Sequence, residues 1–449
     1  MKTKTVNMLE GPIAKNLLAM TIPIMVMNVS QTLFNILDMW LLKILNFPEA
    51  VSASGACGTL SSLCTNLLVG LAAGANVIVA NRIGKGQRDR ADKAATTAIL
   101  IGLVGGILLM IIGLIMSEQF LIWTNCPSEI LPLATKYFRL YFLAVPPIMI
   151  YNFSYAILRS IGDTKRPMYY LIIGSVIKVI STFAIAKFFG DGVAAVGIAL
   201  IITFIFAGGM TFARILKHSD ILSINFKQFK FDPVELKAIL LQGIPGGLQS
   251  SFYSFANTFI TATVNSFGVA ATTGVAIANQ FDGLIYQIIR SPHLAVIPFI
   301  SQNFGAKNYS RLRKILTSAS LITAAFGLTV GILSGVFSRE LSALLSDDPE
   351  VIAYSQQKMM LISPLYFICG INEIMAGVLK GMQKPISPAI IGLVFTCGLR
   401  FVWIYAIFPL FPTLTFLYAV WPIGWLISLV IQYVIYLKHL HKLEKAACV

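Results

Sequence analysis

Long apolar runs separated by short polar turns recur along the whole chain. They cover 13–42, 51–80, 94–117, 130–157, 167–189 and 193–215, then 238–266, 269–300, 315–337, 351–379, 386–409 and 413–437. Each is long enough for a helix that crosses a hydrocarbon layer, which takes about 20 residues. The second six runs echo the first six. The stretch YNFSYAILRSIGDTKRP at 151–167 returns as NEIMAGVLKGMQKPISP at 372–388. Arg159 and Lys380 are 221 apart (380 − 159), as are Leu158 and Leu379, Pro167 and Pro388, Gly84 and Gly305, and Ser117 and Ser338. Pro23 with Pro245 and Pro127 with Pro349 follow at 222 (245 − 23; 349 − 127). A repeat of half the chain predicts an all-α integral membrane protein of about twelve transmembrane helices in two pseudo-symmetric six-helix bundles. The expected division is a first lobe at 1–216, a linker at 217–235 and a second lobe at 236–449. Six spans per half return the chain to its starting side, so the halves share one orientation and their interface is the natural site.

Composition agrees with a membrane setting: 57% of residues are hydrophobic and 12% charged, against about 25% charged in ordinary soluble domains. The mean hydropathy is +0.79. The apolar run beginning at Ile13 is too long for a signal-peptide core and lacks a small-residue cleavage site, so it reads as a first span. Net charge is +15, and its distribution sets the topology. Alternate loops carry Arg82, Lys85, Arg88, Arg90 and Lys93, then Arg159, Lys165 and Arg166, then Lys307, Arg311, Arg313 and Lys314, then Lys380 and Lys384. Intervening loops carry few cations, with Glu49, Asp191, Asp347, Asp348 and Glu350 alongside. Basic loops stay cytoplasmic, which places both termini inside a plasma membrane. Cations that mark membrane boundaries do not form a nucleic-acid face. The connector at 214–237, with its FKQFKF, reads as a segment at the lipid headgroups, with a docking role as the alternative. The six cysteines have no CxxC spacing and read as packing residues.

Catalytic signatures are missing. There is no GxxxxGK[ST], HExxH or GxSxG, and the histidines are scattered at 218, 293, 439 and 441. Two like bundles without a nucleotide site fit a secondary transporter, not an enzyme.

Several motifs also carry a family resemblance. They are Pro23, Asn28, Gln31, Phe34, Asn35 and Asp38 in the first run, NRIGKG at 81–86, YNF…AILRSIGDTKRP at 151–167, VNSFG at 264–268 and CGLRFVWIY at 397–405. Together they resemble the multidrug and toxic compound extrusion (MATE) family over almost the whole chain. The resemblance implies twelve helices in two lobes, and export of amphipathic, often cationic compounds in exchange for H⁺ or Na⁺. It also implies a coupling acid at Asp38 and a tenth-span acid at Glu373. The chain departs from the family at its fifth span. Many relatives have Asn-x3-Asp there and this chain has Lys178 and Thr182, so an ammonium stands where a bound cation would otherwise be held.

Ionisable residues deep in apolar spans cost about 2.5 to 3.5 kcal/mol each on insertion scales and are kept when paired or used. Six stand out: Asp38, Asp282 and Glu373 as acids, and Lys178, Arg290 and Arg400 as cations. Lys178 and Arg400 are 222 apart (400 − 178), at equivalent places in the repeat. Asp38 shares a helical stripe with Gln31 and Asn35, and its alternatives are ion coupling or a structural pair with Lys43 or Lys178. Asp282, Glu373 and Arg400 are expected to form a buried network in the second half, as coupling site or as packing ion pair. His293 reads as a kink residue, with proton shuttling as the rival. Tyr151, Asn152, Tyr253, Asn257 and Gln280 join Gln31, Asn35, Lys178, Arg290 and Arg400 as candidate cavity residues. The reading is a monomeric antiporter exporting lipophilic, cationic small molecules across the bilayer, with H⁺ or Na⁺ as coupling ion and no other cofactor. A flippase for lipid-linked saccharides and a non-transporting receptor or assembly subunit are the alternatives.

Overall fold

The computed structural model describes residues 5–124, 126–217 and 230–447. Most of the connector at 217–235, together with His218 and Cys448, lies outside the described residues. All twelve expected runs are helical. They are α1 (Ile13–Ile44), α2 (Pro48–Gly84), α3 (Arg88–Trp123), α4 (Leu131–Ser160), α5 (Lys165–Phe189), α6 (Gly192–Leu216), α7 (Pro233–Asn265), α8 (Val269–Gly305) and α9 (Tyr309–Val336). Three more follow: α10 (Pro349–Gly381), α11 (Ile386–Leu410) and α12 (Leu414–Lys445). Among the described residues there is no strand. Helices overrun the apolar segments at their ends, because polar residues such as Arg88, Asp89 and Glu235 continue the same winding beyond the apolar run.

Eleven of the helices are long and apolar enough to span a membrane. The exception is α7, whose 33 residues include Gln242, Gln249, Ser250, Ser251, Ser254 and Asn257. A spanning helix with that much polar surface must turn it inward, so the helix with the weakest apolar signal is a candidate site helix.

Local chemistry fixes the ends and the breaks. Asp191 caps α6 by accepting from the Ala194 amide at 2.9 Å, and Asp348 caps α10 by accepting from the Glu350 amide at 2.9 Å. Pro23, Pro146, Pro147, Pro245, Pro292 and Pro298 all lie inside helices. Pro364 sits in a tight turn, Ser363–Leu365, that interrupts α10.

The chain divides into two compact units. One comprises Met1–Val6 and Val26–Leu248, the other Asn7–Met25 and Gln249–Val449. The division therefore runs through α1 and α7, whereas the repeat suggested lobes of whole helices at 1–216 and 236–449. Within the first unit, α4 packs on α2, α3 and α6; within the second, α10 packs on α8, α9 and α12. The fourth helix of each half is thus the hub. The duplication also persists in the backbone. Left-handed turns at Gly86 (φ 69) and Gly162 (φ 84) recur at Lys307 (φ 57) and Gln383 (φ 60), both 221 residues later (307 − 86; 383 − 162). Asn46 (φ 61) and Gly268 (φ 94), 222 apart (268 − 46), share only the positive φ, since Gly268 has ψ 177. A non-glycine residue held in a left-handed turn costs about 1 to 2 kcal/mol, a cost that Lys307 and Gln383 carry and their glycine equivalents do not.

In the first unit, α2 and α7 meet backbone to backbone. A methyl group on Gly70 would lie 2.5 Å from the Gly247 nitrogen, and one on Gly74 would lie 2.7 Å from the Gly243 nitrogen. Each helix presents a G-x-x-x-G pair, the small-residue device by which membrane helices cross closely.

Candidate functional site

Among the described residues, three clusters form around the buried acids Asp38, Asp282 and Glu373, one in the first unit and two in the second, with the Arg400–Asn257 contact beside them.

The first cluster joins α1 to α5. Asn35 and Asp38 are three residues apart and share a helix face. Lys178 reaches both: its Nζ lies 2.5 Å from Asp38 Oδ2 and donates to Asn35 Oδ1 at 3.2 Å. The Asp38 and Lys178 side chains are 5% and 10% exposed, so the pair is desolvated and neutral as a whole. The Asp38–Lys178 contact is an ion pair off hydrogen-bond angle, and neither Asp38 oxygen has a hydrogen-bond partner among the described residues. Lys178, not Lys43, is the partner. Gln31 is exposed and stands apart from this contact. The Tyr151 hydroxyl meets Met27 Sδ at 3.2 Å, and Asn152 donates to its own helix at the Ile148 carbonyl.

A similar arrangement holds α8 to α10. Asn279 and Asp282 are again three apart, and Lys358 lies 2.9 Å from Asp282 Oδ2 while donating to Asn279 Oδ1. Lys358 is missing from the residues singled out in the sequence. It stands nine residues into α10 behind Gln356 and Gln357, where a lysine ordinarily reads as reaching the headgroups. In the fold its side chain is 3% exposed, with Nζ 5.5 Å from the centre of the Trp421 ring. Gln280 is exposed.

Glu373 defines the third cluster. A cavity of about 60 Å³ is bordered by Glu373, His293, Arg290, Lys380, Tyr286 and Tyr253, with amides and hydroxyls completing the wall. The Tyr286 hydroxyl donates to Glu373 Oε1 at 3.5 Å. The His293 Nδ1 lies 2.6 Å from the Glu373 carbonyl oxygen and 3.8 Å from Oε2. A carbonyl only accepts, so Nδ1 carries a proton and Nε2 is left as the acceptor. His293 fits against Gly377, where a methyl group would come within 2.9 Å of Nδ1. It is therefore part of this cluster as well as of the Pro292 segment. Arg290 stacks over Tyr286 at 5.8 Å.

The single network expected for Asp282, Glu373 and Arg400 is not present. Asp282 belongs to Lys358, Glu373 to the cavity, and Arg400 to Asn257, to whose Oδ1 its Nη1 donates at 2.8 Å. The reason is helix register: the three residues lie on α8, α10 and α11, and each meets a nearer partner first.

The remaining motifs build turns. Arg82 of NRIGKG donates its Nε to both carboxylate oxygens of Glu235 at 3.2 Å, and Glu235 is fully buried. Asp163 of SIGDTKRP accepts from Arg166 at 2.6 Å, with Arg214 at 3.8 Å. These contacts hold helix ends.

Comparison with known proteins follows the same lines. The MatE family model matches residues 23–184 and again 245–406, the second match displaced by 222 (245 − 23), which is the repeat seen in sequence and turns. The probable multidrug resistance protein YoeA of Bacillus subtilis is 23% identical over 84% of this chain and 83% of its own. The probable multidrug resistance protein NorM of Thermotoga maritima is 25% identical over 84% of this chain and 82% of its own. An outward-facing multidrug resistance MATE transporter of the MOP superfamily superposes with a TM-score of 0.90 at 20% identity, covering 99% of this chain and 100% of that one. Duplicated family match, spanning helices and fold agree: this chain is a multi-pass membrane protein that belongs to the MATE family of multidrug efflux transporters.

Proposed function

We propose that the chain works as a monomeric secondary antiporter of the plasma membrane, both termini cytoplasmic, exporting amphipathic small molecules by alternating access while H⁺ moves inward. The supporting observation is the Asp38–Lys178 pair, a desolvated carboxylate tied to an ammonium on another helix. Protonating Asp38 removes its charge and with it most of the attraction that ties α1 to α5; losing the proton restores the tie. A carboxylate serves H⁺ and Na⁺ alike in principle. Here Lys178 already fills the point where Asp38 Oδ2 and Asn35 Oδ1 converge, and a proton fits that arrangement better than a metal ion. Glu373, beside the Tyr286 hydroxyl and the His293 ring, is the second exchanging acid. Asp282 is held by Lys358, which leaves Glu373 as the acid for the cationic cargo implied by the resemblance.

Efflux of a fluorescent dye from proteoliposomes tests the reading, with pH and Na⁺ gradients imposed separately. A pH gradient alone is expected to drive efflux and a Na⁺ gradient alone to leave it at the unenergised level. Efflux indifferent to both gradients would remove ion coupling.

A further inference from the structure

The two halves treat one buried cation differently. Lys178 on α5 and Arg400 on α11 are equivalent (400 − 178 = 222), and so are their partners Asn35 on α1 and Asn257 on α7 (257 − 35 = 222). The contact itself is repeated: Lys178 donates to Asn35 at 3.2 Å and Arg400 to Asn257 at 2.8 Å. What differs is the counterion. Position 38 holds the aspartate that neutralises Lys178, while its equivalent at 260 (260 − 38 = 222) is Ile260, itself buried at 4% exposure. Arg400 is 7% exposed, and among the described residues no carboxylate lies within ion-pair range of it. Its other electrostatic neighbours, Cys397, Tyr253, Cys369 and Tyr366, are groups that are neutral near pH 7.

A buried guanidinium without a counterion is costly and is retained when something anionic meets it. The backbone around it is unusual as well. Arg400 lies in a four-residue α segment, Leu399–Val402, between two π-wound segments, Gly392–Gly398 and Trp403–Ile407. Such π winding is rare and concentrates at functional sites. The guanidinium presents a planar fork of donors suited to a carboxylate or phosphate, and Asn257 occupies only part of it.

We propose that Arg400, steadied by Asn257, is a binding site in the second unit for the oxyanion of an amphipathic molecule. The site rests on the antiporter reading and extends its cargo from cationic amphiphiles to ones that also carry a negatively charged group. A carboxylate-bearing cargo and a lipid phosphate share this chemistry. The first half answers its cation with an internal acid; the second carries an apolar residue, Ile260, at the equivalent position.

Binding is measured on the purified full chain in phosphatidylcholine nanodiscs, without any gradient, so that a failure here is separate from a failure of ion coupling. Fluorescein is the anionic probe and ethidium the cationic one. Arg400→Gln is expected to weaken fluorescein about tenfold or more, the scale of a charge-assisted contact, and to leave ethidium no weaker. Arg400→Lys should retain part of the affinity. Ile260→Asp recreates the arrangement of the first half and should suppress fluorescein binding without lowering the melting temperature. This second variant decides the matter if Arg400→Gln does not fold. Displacement of fluorescein by added phosphatidylglycerol would identify a lipid headgroup as the occupant, and failure to displace it a soluble amphipathic acid. Undiminished fluorescein affinity in Ile260→Asp, or in a folded Arg400→Gln, would overturn the proposal.

Discussion

Removing either member of the Asp38–Lys178 pair should destabilise the protein far more than removing both. In Asp38→Asn the ammonium keeps its bond to Asn35 at 3.2 Å but loses a counterion at 2.5 Å inside a site where both side chains are almost wholly buried. Breaking a buried pair costs about 3 to 5 kcal/mol, and the remaining Asn35 contact argues for the lower end. About 3 kcal/mol corresponds to roughly a hundredfold change in the folding equilibrium. Lys178→Met leaves the Asp38 carboxylate buried without its partner, the complementary loss. In Asp38→Asn with Lys178→Met no charge remains to be buried, and most of the stability should return. Reversible unfolding in mixed micelles, followed by tryptophan fluorescence, gives the four corners of the cycle. Single losses that simply add in the double variant would refute the argument that the two charges are matched to each other.

Other outcomes follow from the same reasoning. Lys358→Met should cost about as much as Lys178→Met, because it strands Asp282 at 9% side-chain exposure; the same unfolding assay reads it, and full stability would deny that pair its role. Gly243→Val should lower thermal stability or stop transport, since even a methyl group there would lie 2.6 Å from Leu71 Cα; dye efflux and a melting curve together show which. On the loop between α5 and α6, burial pushes the Asp191 carboxyl upward, but the Ala194 amide and the Lys136 ammonium outweigh it and hold the carboxyl below the usual range. Its contribution should therefore be full above about pH 4 and disappear as pH falls through the lower folded value, so wild type and Asp191→Ala should converge in stability under acid. In a cysteine-free background, Asp347→Cys should react with an impermeant thiol reagent added outside whole cells and Lys384→Cys should not; the reverse would invert the topology.

The spans, the duplication and the family were legible because each rests on a long signal: hydropathy over twenty residues, or matches at a constant separation of 221 to 222. Asp38 and Lys178 could be named for the same reason, since each interrupts an otherwise apolar run. Their contact was one of two options left open by sequence, and only the packing of α5 against α1 selects Lys178 over Lys43. Lys358 was hidden because a lysine near a helix start normally reaches the headgroups, and nothing local shows that α8 covers it. The glycine crossing of α2 and α7 joins segments more than 160 residues apart (243 − 74 = 169), and each G-x-x-x-G alone is too common to signal a partner. The expected network of Asp282, Glu373 and Arg400 failed for a related reason. A list of buried charges carries no register, and each found a partner that the list omitted. The π winding around Arg400 has no periodicity signature, because apolar residues surround it in any register.

Coupling of export to a proton exchanged at Asp38 is tested most directly by separating transport from its driving force. Proteoliposomes carrying wild type or Asp38→Asn are to be compared in two modes, dye efflux driven by an imposed pH gradient and dye-for-dye exchange without a gradient. At equal amounts of folded protein, Asp38→Asn is expected to retain exchange and lose gradient-driven efflux; gradient-driven efflux at the wild-type rate in that variant would contradict coupling at Asp38.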